Sequence, residues 1–167
     1  MALACAGIVP YTPTMSLDTK LFETIMAVNL LGSVYVAKHA AIAMVDKNKK
    51  ASGEGKGVIL FTSSVAAWEG LRGSSAYSAS KGAINGLVLP MARDLGKYGI
   101  RVAAIAPGIF NTQMFSSLPK HQQAMASIHT PMRRPGLTHE FAHMVQFCIE
   151  NGYINGVSLR IDGATVM

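Results

Sequence analysis

The chain predicts an α/β fold built as a doubly wound parallel sheet with about four strands. Three observations carry this. Short apolar runs at residues 57–62, 100–106 and 157–161 alternate with longer stretches whose apolar residues recur at helical spacing. The run at 57–62 is apolar and partly β-branched, the pattern of a buried parallel strand covered on both faces. The chain has 167 residues, 50% hydrophobic and 14% charged, enough for one domain with a real core spanning residues 1–167.

Residues 2–9 read as the end of a buried strand that turns at Gly7. A Pro/Thr loop follows over residues 11–16. Asp18 then stands where a carboxylate can cap a helix, and Leu21, Phe22, Ile25, Met26 and Val28 begin a helical pattern running to Val45. Gly32 offers close packing or a slight break there. A charged, glycine-bearing loop over residues 46–57 leads to the strand 57–62. After a loop, residues 75–97 form an Ala/Ser-rich helix that Gly99 ends. The strand 100–106 stops at Pro107-Gly108. Residues 111–134 read as a lid with a short helix; Thr138 caps a helix to Glu150, closed near Gly152, and 157–161 is the last strand. Strand–helix alternation of this kind makes right-handed crossovers.

The net charge is +6, with one dense cluster at Lys47, Lys49, Lys50 and Lys56. No aromatic residue interleaves with those lysines, so a solvated loop is the reading and no nucleic acid is expected as a partner. Cys5 and Cys148 form no CxxC or His/Cys pattern at metal spacing, which points to a reducing compartment and no metal. The longest apolar stretch, residues 27–45, is interrupted by Asn29, Lys38 and His39, so no membrane partner is expected. Residues 1–10 lack the charged start of a signal peptide and the Arg-rich character of a mitochondrial presequence.

Parallel α/β sheets bind ligands beyond the carboxyl ends of their strands. Thr62-Ser63-Ser64 stands at one such end, and Tyr77 and Lys81 follow, four apart on a helix and therefore on one face. A free phenol titrates near ~10 and is a poor base at neutral pH. A neighbouring ammonium favours the phenolate, which would make the pair a tuned general acid/base. A hydroxyl such as that of Ser64 can hydrogen-bond the oxygen of an alcohol or ketone. Singly, each piece has a plainer explanation: a surface pairing, a turn serine, chain punctuation at Pro107-Gly108, a tolerated polar residue at Asn29.

Taken in order, Ala6-Gly7, Val28-Asn29-Leu30, Ser64, Tyr77 with Lys81, Pro107-Gly108 with Thr112, and Asp162-Gly163 resemble the short-chain dehydrogenase/reductases over nearly the whole chain. The stretches Ser64-Val65-Ala66-Ala67-Trp68-Glu69-Gly70, Leu89-Pro90-Met91-Ala92-Arg93-Asp94-Leu95 and Leu159-Arg160-Ile161-Asp162-Gly163-Ala164 are most similar to the type 2 3-hydroxyacyl-CoA dehydrogenase branch, which also accepts hydroxysteroids.

The resemblance implies a Rossmann-like fold, N-terminally incomplete, and a reversible hydride transfer between a secondary alcohol and NAD or NADP, with NAD favoured. It implies Tyr77 as proton donor and acceptor, and Lys81 as the group that lowers its pKa and holds the nicotinamide ribose. Ser64 would orient the reacting oxygen, and Asn29 would hold a water joining Lys81 to solvent. Ala6, Gly7, Pro107, Gly108, Ile109 and Thr112 would line the cofactor, with Thr112 reaching the carboxamide. Met114, Phe115, Leu118 and Met125 would line an acyl or steroid pocket, or else pack a short lid helix. The partners implied are a small-molecule substrate and other subunits, as a homo-oligomer or a hetero-oligomer with full-length relatives. The compartment implied is the mitochondrial matrix, or the cytoplasm. One departure is large. The TGxxxGxG turn that cradles the pyrophosphate in this family occurs nowhere in the sequence, and Ala4-Cys5 replaces the Asn-Asn before Ala6-Gly7. Weak cofactor affinity, an open sheet edge and an inactive assembly role are therefore also expected.

Overall fold

The computed structural model describes residues 1–48, 57–117, 120, 123–124, 128 and 130–165. Lys49, Lys50, Lys56, Leu118 and Met125 lie outside these. Four strands, β1 (Ala2–Ala4), β2 (Gly57–Thr62), β3 (Ile100–Pro107) and β4 (Ser158–Ile161), form one parallel sheet in the order β1-β2-β3-β4. Helices α1 (Thr19–Met26), α2 (Gly32–Asn48), α3 (Ser75–Gly96), α4 (Gln113–Ser116) and α5 (Thr138–Glu150) complete it. The fold is the α/β, Rossmann-like arrangement the alternation predicts.

Side chains alternate across a strand, so β2 and β3 feed two cores. Ile59, Phe61, Ile100, Val102 and Ala104 pack against Ala37 and Ala41 of α2 and Ile84, Val88 and Ala92 of α3. Val58, Leu60, Ala103 and Ile105 face Phe141, Met144, Val145 and Cys148 of α5 on the other side. Burying one such aliphatic side chain stabilises by about 1.5–3 kcal/mol, so these two layers carry the fold. Arg101 fastens α5 by donating to the carbonyls of Cys148 and Ile149 at its C-terminal end and of Ile154 beyond it.

The long N-terminal helix departs from its predicted form. A π turn over Ala27–Leu31 separates α1 from α2. The buried positions are Ile25, Asn29, Ser33, Ala37 and Ala41, one every four residues, while Val28, Leu31 and Tyr35 are exposed. Each four-residue step overshoots an α-helical turn by about 40°, and the wider π turn takes up much of the drift. By length and composition Thr19–Val45 is long and apolar enough to cross a membrane, against the expectation from Asn29, Lys38 and His39. Its inner stripe, however, packs on the sheet and on α3.

Smaller differences concern helix ends. Asp18 occupies the N-cap position of α1 but its side chain makes no cap bond; its carbonyl accepts from Phe22 N. The N-cap of α5 is Leu137 and not Thr138, because the Glu140 carboxylate reaches back to Leu137 N. Helix α3 ends at Gly96 and α5 at Glu150; Gly99 (φ +70°) turns the chain into β3.

Candidate active site

The site forms where β1, β2 and β3 end. β1 delivers Cys5, Ala6 and Gly7; β2 delivers Thr62, Ser63 and Ser64; α3 crosses above them with Tyr77 and Lys81 one turn apart. Lys81 is buried, and its Nζ donates to the Thr62 carbonyl at 2.7 Å. An ammonium has three donors, so two remain to be used. A Cβ built on Gly7 would lie 3.6 Å from Lys81 Nζ and 3.3 Å from Asn29 Oδ1, so the glycine lets the backbone approach both groups.

Asn29 is fully buried and committed. Its Oδ1 accepts from Ile8 N at 2.8 Å, and its Nδ2 donates to Ile8 O and to Ser80 Oγ, each at 3.0 Å. Ser80 Oγ in turn donates to the Tyr77 carbonyl, and Ser33 Oγ donates to the Asn29 carbonyl. One amide thus ties the turn after β1 to the helix bearing Tyr77 and Lys81. Because both amide N–H groups are spent, Asn29 could hold a water only through its acceptors.

Ser64 caps a single 3-10 turn over Val65–Ala67, its Oγ accepting from Ala66 N at 3.1 Å. That bond uses a lone pair and leaves the hydroxyl proton to donate, here toward the Tyr77 phenol. Tyr77 departs from the expected electrostatics. Burial pushes its phenol up from the usual value; the Ser64 hydroxyl pulls it down and the nearby Tyr11 phenol pushes it up. Lys81 Nζ stands 5.7 Å from the Tyr77 ring centroid, and its own pKa is lowered to about 8 by burial, with Cys5 opposing. In this protein state the pair is therefore a protonated phenol beside a weakened ammonium.

At the end of β3, Gly108 N donates to Ile161 O, and a Cβ on Gly108 would come within 2.8 Å of Asp162 Cβ and 2.9 Å of its Cα. Ile109 is joined through its carbonyl to Gly136 N. Thr112 is exposed and caps the four-residue α4 by accepting from Phe115 N. Met114 is exposed and Phe115 half-buried. Arg160 pairs with Glu69 and Asp162, tying the loop after Ser64 to the end of β4. A cavity of about 430 Å³ opens beside the start of α3, lined by Pro13, Thr14, residues 70–75 and Ser78. Sequence reasoning missed Ser80, Ser33, the Thr62 carbonyl and Tyr11. Ser80, three residues after Tyr77, and Ser33, four after Asn29, had a spacing signal; the Thr62 carbonyl and Tyr11 are set by tertiary contact alone.

Comparison with known proteins agrees with this fold. Residues 1–164 match the family model described as enoyl-(acyl carrier protein) reductase. The 3-hydroxyacyl-CoA dehydrogenases type-2 of Bos taurus and Homo sapiens are each 42% identical over 174 aligned positions, covering 100% of this chain and 66% of the relative. The chain thus spans just under two thirds of their length. The crystal structure of 3-hydroxyacyl-CoA dehydrogenase type-2 from Mycobacterium avium superimposes with a TM-score of 0.87 at 32% identity, covering 96% of this chain and 64% of that one. 4-Hydroxyisoleucine dehydrogenase complexed with NADH superimposes with a TM-score of 0.81 at 27% identity, covering 96% and 66%.

Proposed function

This chain belongs to the short-chain dehydrogenase/reductase family, and we propose that it interconverts a secondary alcohol and a ketone on 3-hydroxyacyl-CoA or hydroxysteroid-type substrates, using NAD or NADP. The observation that carries this reading is the buried Lys81, its ammonium fixed by the Thr62 carbonyl one helical turn from Tyr77. The nicotinamide, when bound, accepts or gives the hydride.

The residues present fit its nicotinamide end. Gly108 sits where a Cβ would collide with Asp162, and Gly7 leaves open the space beside Lys81. The two unused Lys81 donors suit ribose hydroxyls, and Ala6, Gly7, Pro107, Gly108, Ile109 and Thr112 supply walls. NAD is favoured, since a solved relative is described with NADH.

Ser64 turns its hydroxyl proton from the Tyr77 phenol to the substrate oxygen. Tyr77, kept protonated by burial, gives its proton to that oxygen as a ketone is reduced and takes it back in the reverse direction. Lys81 holds positive charge near the phenol as the proton leaves. Asn29 and Ser80 hold α3 against the turn after β1 and so keep the two groups aligned.

A second reading has its own observation. Leu31 of the π turn, Tyr35, Val36 and Ile42 of α2 and Leu89 of α3 are exposed apolar side chains, which suit a chain that assembles with itself or with full-length relatives and is inactive alone.

Fluorescence titration of the purified chain with NADH and NADPH, followed by acetoacetyl-CoA reduction, separates the two. Saturable binding at micromolar nucleotide with turnover supports the oxidoreductase. No saturation at millimolar nucleotide, with co-purification of a full-length relative, supports the assembly partner.

A further inference from the structure

Residues His139-Glu140-Phe141-Ala142-His143 spell H-E-x-x-H at the start of α5. Two histidines four apart share one helix face. Their rings meet edge-on, with centroids 5.8 Å apart and planes at 68°. Both residues are exposed, and among the described residues neither imidazole makes a hydrogen bond.

In metal hydrolases carrying this motif the glutamate is the general base. Here it has another task. The Glu140 carboxylate pairs with both terminal nitrogens of Arg134, at 2.8 and 2.7 Å, and accepts from Leu137 N at 2.7 Å. The Arg134 guanidinium and the Leu137 N–H hold its pKa down to about 2. The motif is therefore divided: its glutamate starts the helix and its histidines are left to solvent.

We propose that His139 and His143 form a bidentate site for a borderline divalent ion, zinc, nickel or copper, with water completing the coordination. Imidazole nitrogen suits these ions, whereas magnesium and calcium require oxygen ligands, and Glu140 is turned away to Arg134. At the usual Zn–N length, two donor nitrogens about 3.4 Å apart can share one tetrahedral zinc. Rings with centroids 5.8 Å apart span that when their nitrogens turn toward each other. Two protein ligands leave positions for water, so the ion is exchangeable. It bridges the first two turns of α5, where the segment leading from β3 rejoins the fold, and stabilises that end of the helix.

The test is zinc chloride titration of the full chain against a chromophoric indicator. His139→Ala, His143→Ala and the double variant are compared with the natural chain, and His39→Ala serves as control. One ion per chain is expected. Each single variant loses about a hundredfold in affinity, because the second ligand no longer acts intramolecularly. His39→Ala retains the ion. Zinc raises the thermal midpoint only where both His139 and His143 remain. Equal zinc uptake by the natural chain and the double variant overturns the site, as does no uptake by the natural chain at submillimolar zinc. Ion uptake is read without turnover, so this result stands apart from the oxidoreductase reading.

Discussion

The corner around Lys81 and the segment after β3 both lie at the carboxyl ends of the strands, yet they are held in different ways. Asn29, Ser80 and Lys81 are buried; Asn29 and Lys81 donate to backbone carbonyls far away in sequence, and Ser80 accepts from the Asn29 amide. Thr112 and Met114 are exposed, and α4 has only four residues and a local cap. The first region is built before any ligand arrives. The second is held as far as Asn111 by backbone bonds with Gly136, and beyond that by contacts local to α4. Proton chemistry is thus preorganised, whereas ligand contact past Asn111 depends on what binds.

The sharpest way to break this contrast is at Tyr77. Tyr77→Phe keeps the ring and removes the proton, so turnover is expected to fall by about 10²–10⁴-fold with little change in nucleotide affinity. Steady-state kinetics beside a nucleotide titration check this, and an unchanged kcat contradicts the assignment. Lys81→Met comes next. Lowering a lysine from 10.5 to about 8 costs the folded state about 3 kcal/mol while the ammonium is fully charged. The folded pKa lies below the unfolded one, so the unfolded chain binds more protons between the two values. The natural chain should therefore gain stability as pH rises from about 8 toward 10.5, and Lys81→Met should lack that gain. Urea unfolding at both ends of the window reads the difference.

Gly108→Ala tests the rigid start of the second region. Its Cβ would press on Asp162, so a loss of about 1–3 kcal/mol is expected in thermal unfolding. Thr112→Ala should do least. It removes a cap from a short exposed helix, costing about 0.5–1 kcal/mol at most, and its effect should appear in KM and not in kcat. A large loss of kcat would mean that Thr112 is as preorganised as Lys81.

The contrast also separates what was legible from sequence. Helical period places Tyr77 and Lys81 on one face, and strand ends place Ser64 and Pro107-Gly108 at the sheet's carboxyl edge. The parallel sheet follows from alternation of apolar runs. The partners of those side chains were not legible. Ser80 meeting Asn29, and Lys81 meeting the Thr62 carbonyl, depend on how α3 crosses the sheet. Burial of Tyr77 reversed the expected direction of its shift, because the desolvation of a phenol cannot be read from its neighbours in sequence. The apolar pattern from Leu21 to Val45 mixed two faces of its helix: Ile25 is buried and Val28 exposed, and the buried polar Asn29 and Ser33 gave no apolar signal.

The π turn at Ala27–Leu31 bears on how this chain can change over evolutionary time. Losing one residue from an α-helix swings everything beyond the loss by about 100° and strips a buried face from its neighbours. Losing one inside the π turn instead yields a regular helix with every backbone hydrogen bond intact. The damage would be one of phase: Ile25 would leave the core and Asn29 its partners Ile8 and Ser80, while α2 kept its seat. Deletions at this point can therefore survive as folded intermediates. A lineage could lengthen or shorten the helix here and repair the phase later by substitution.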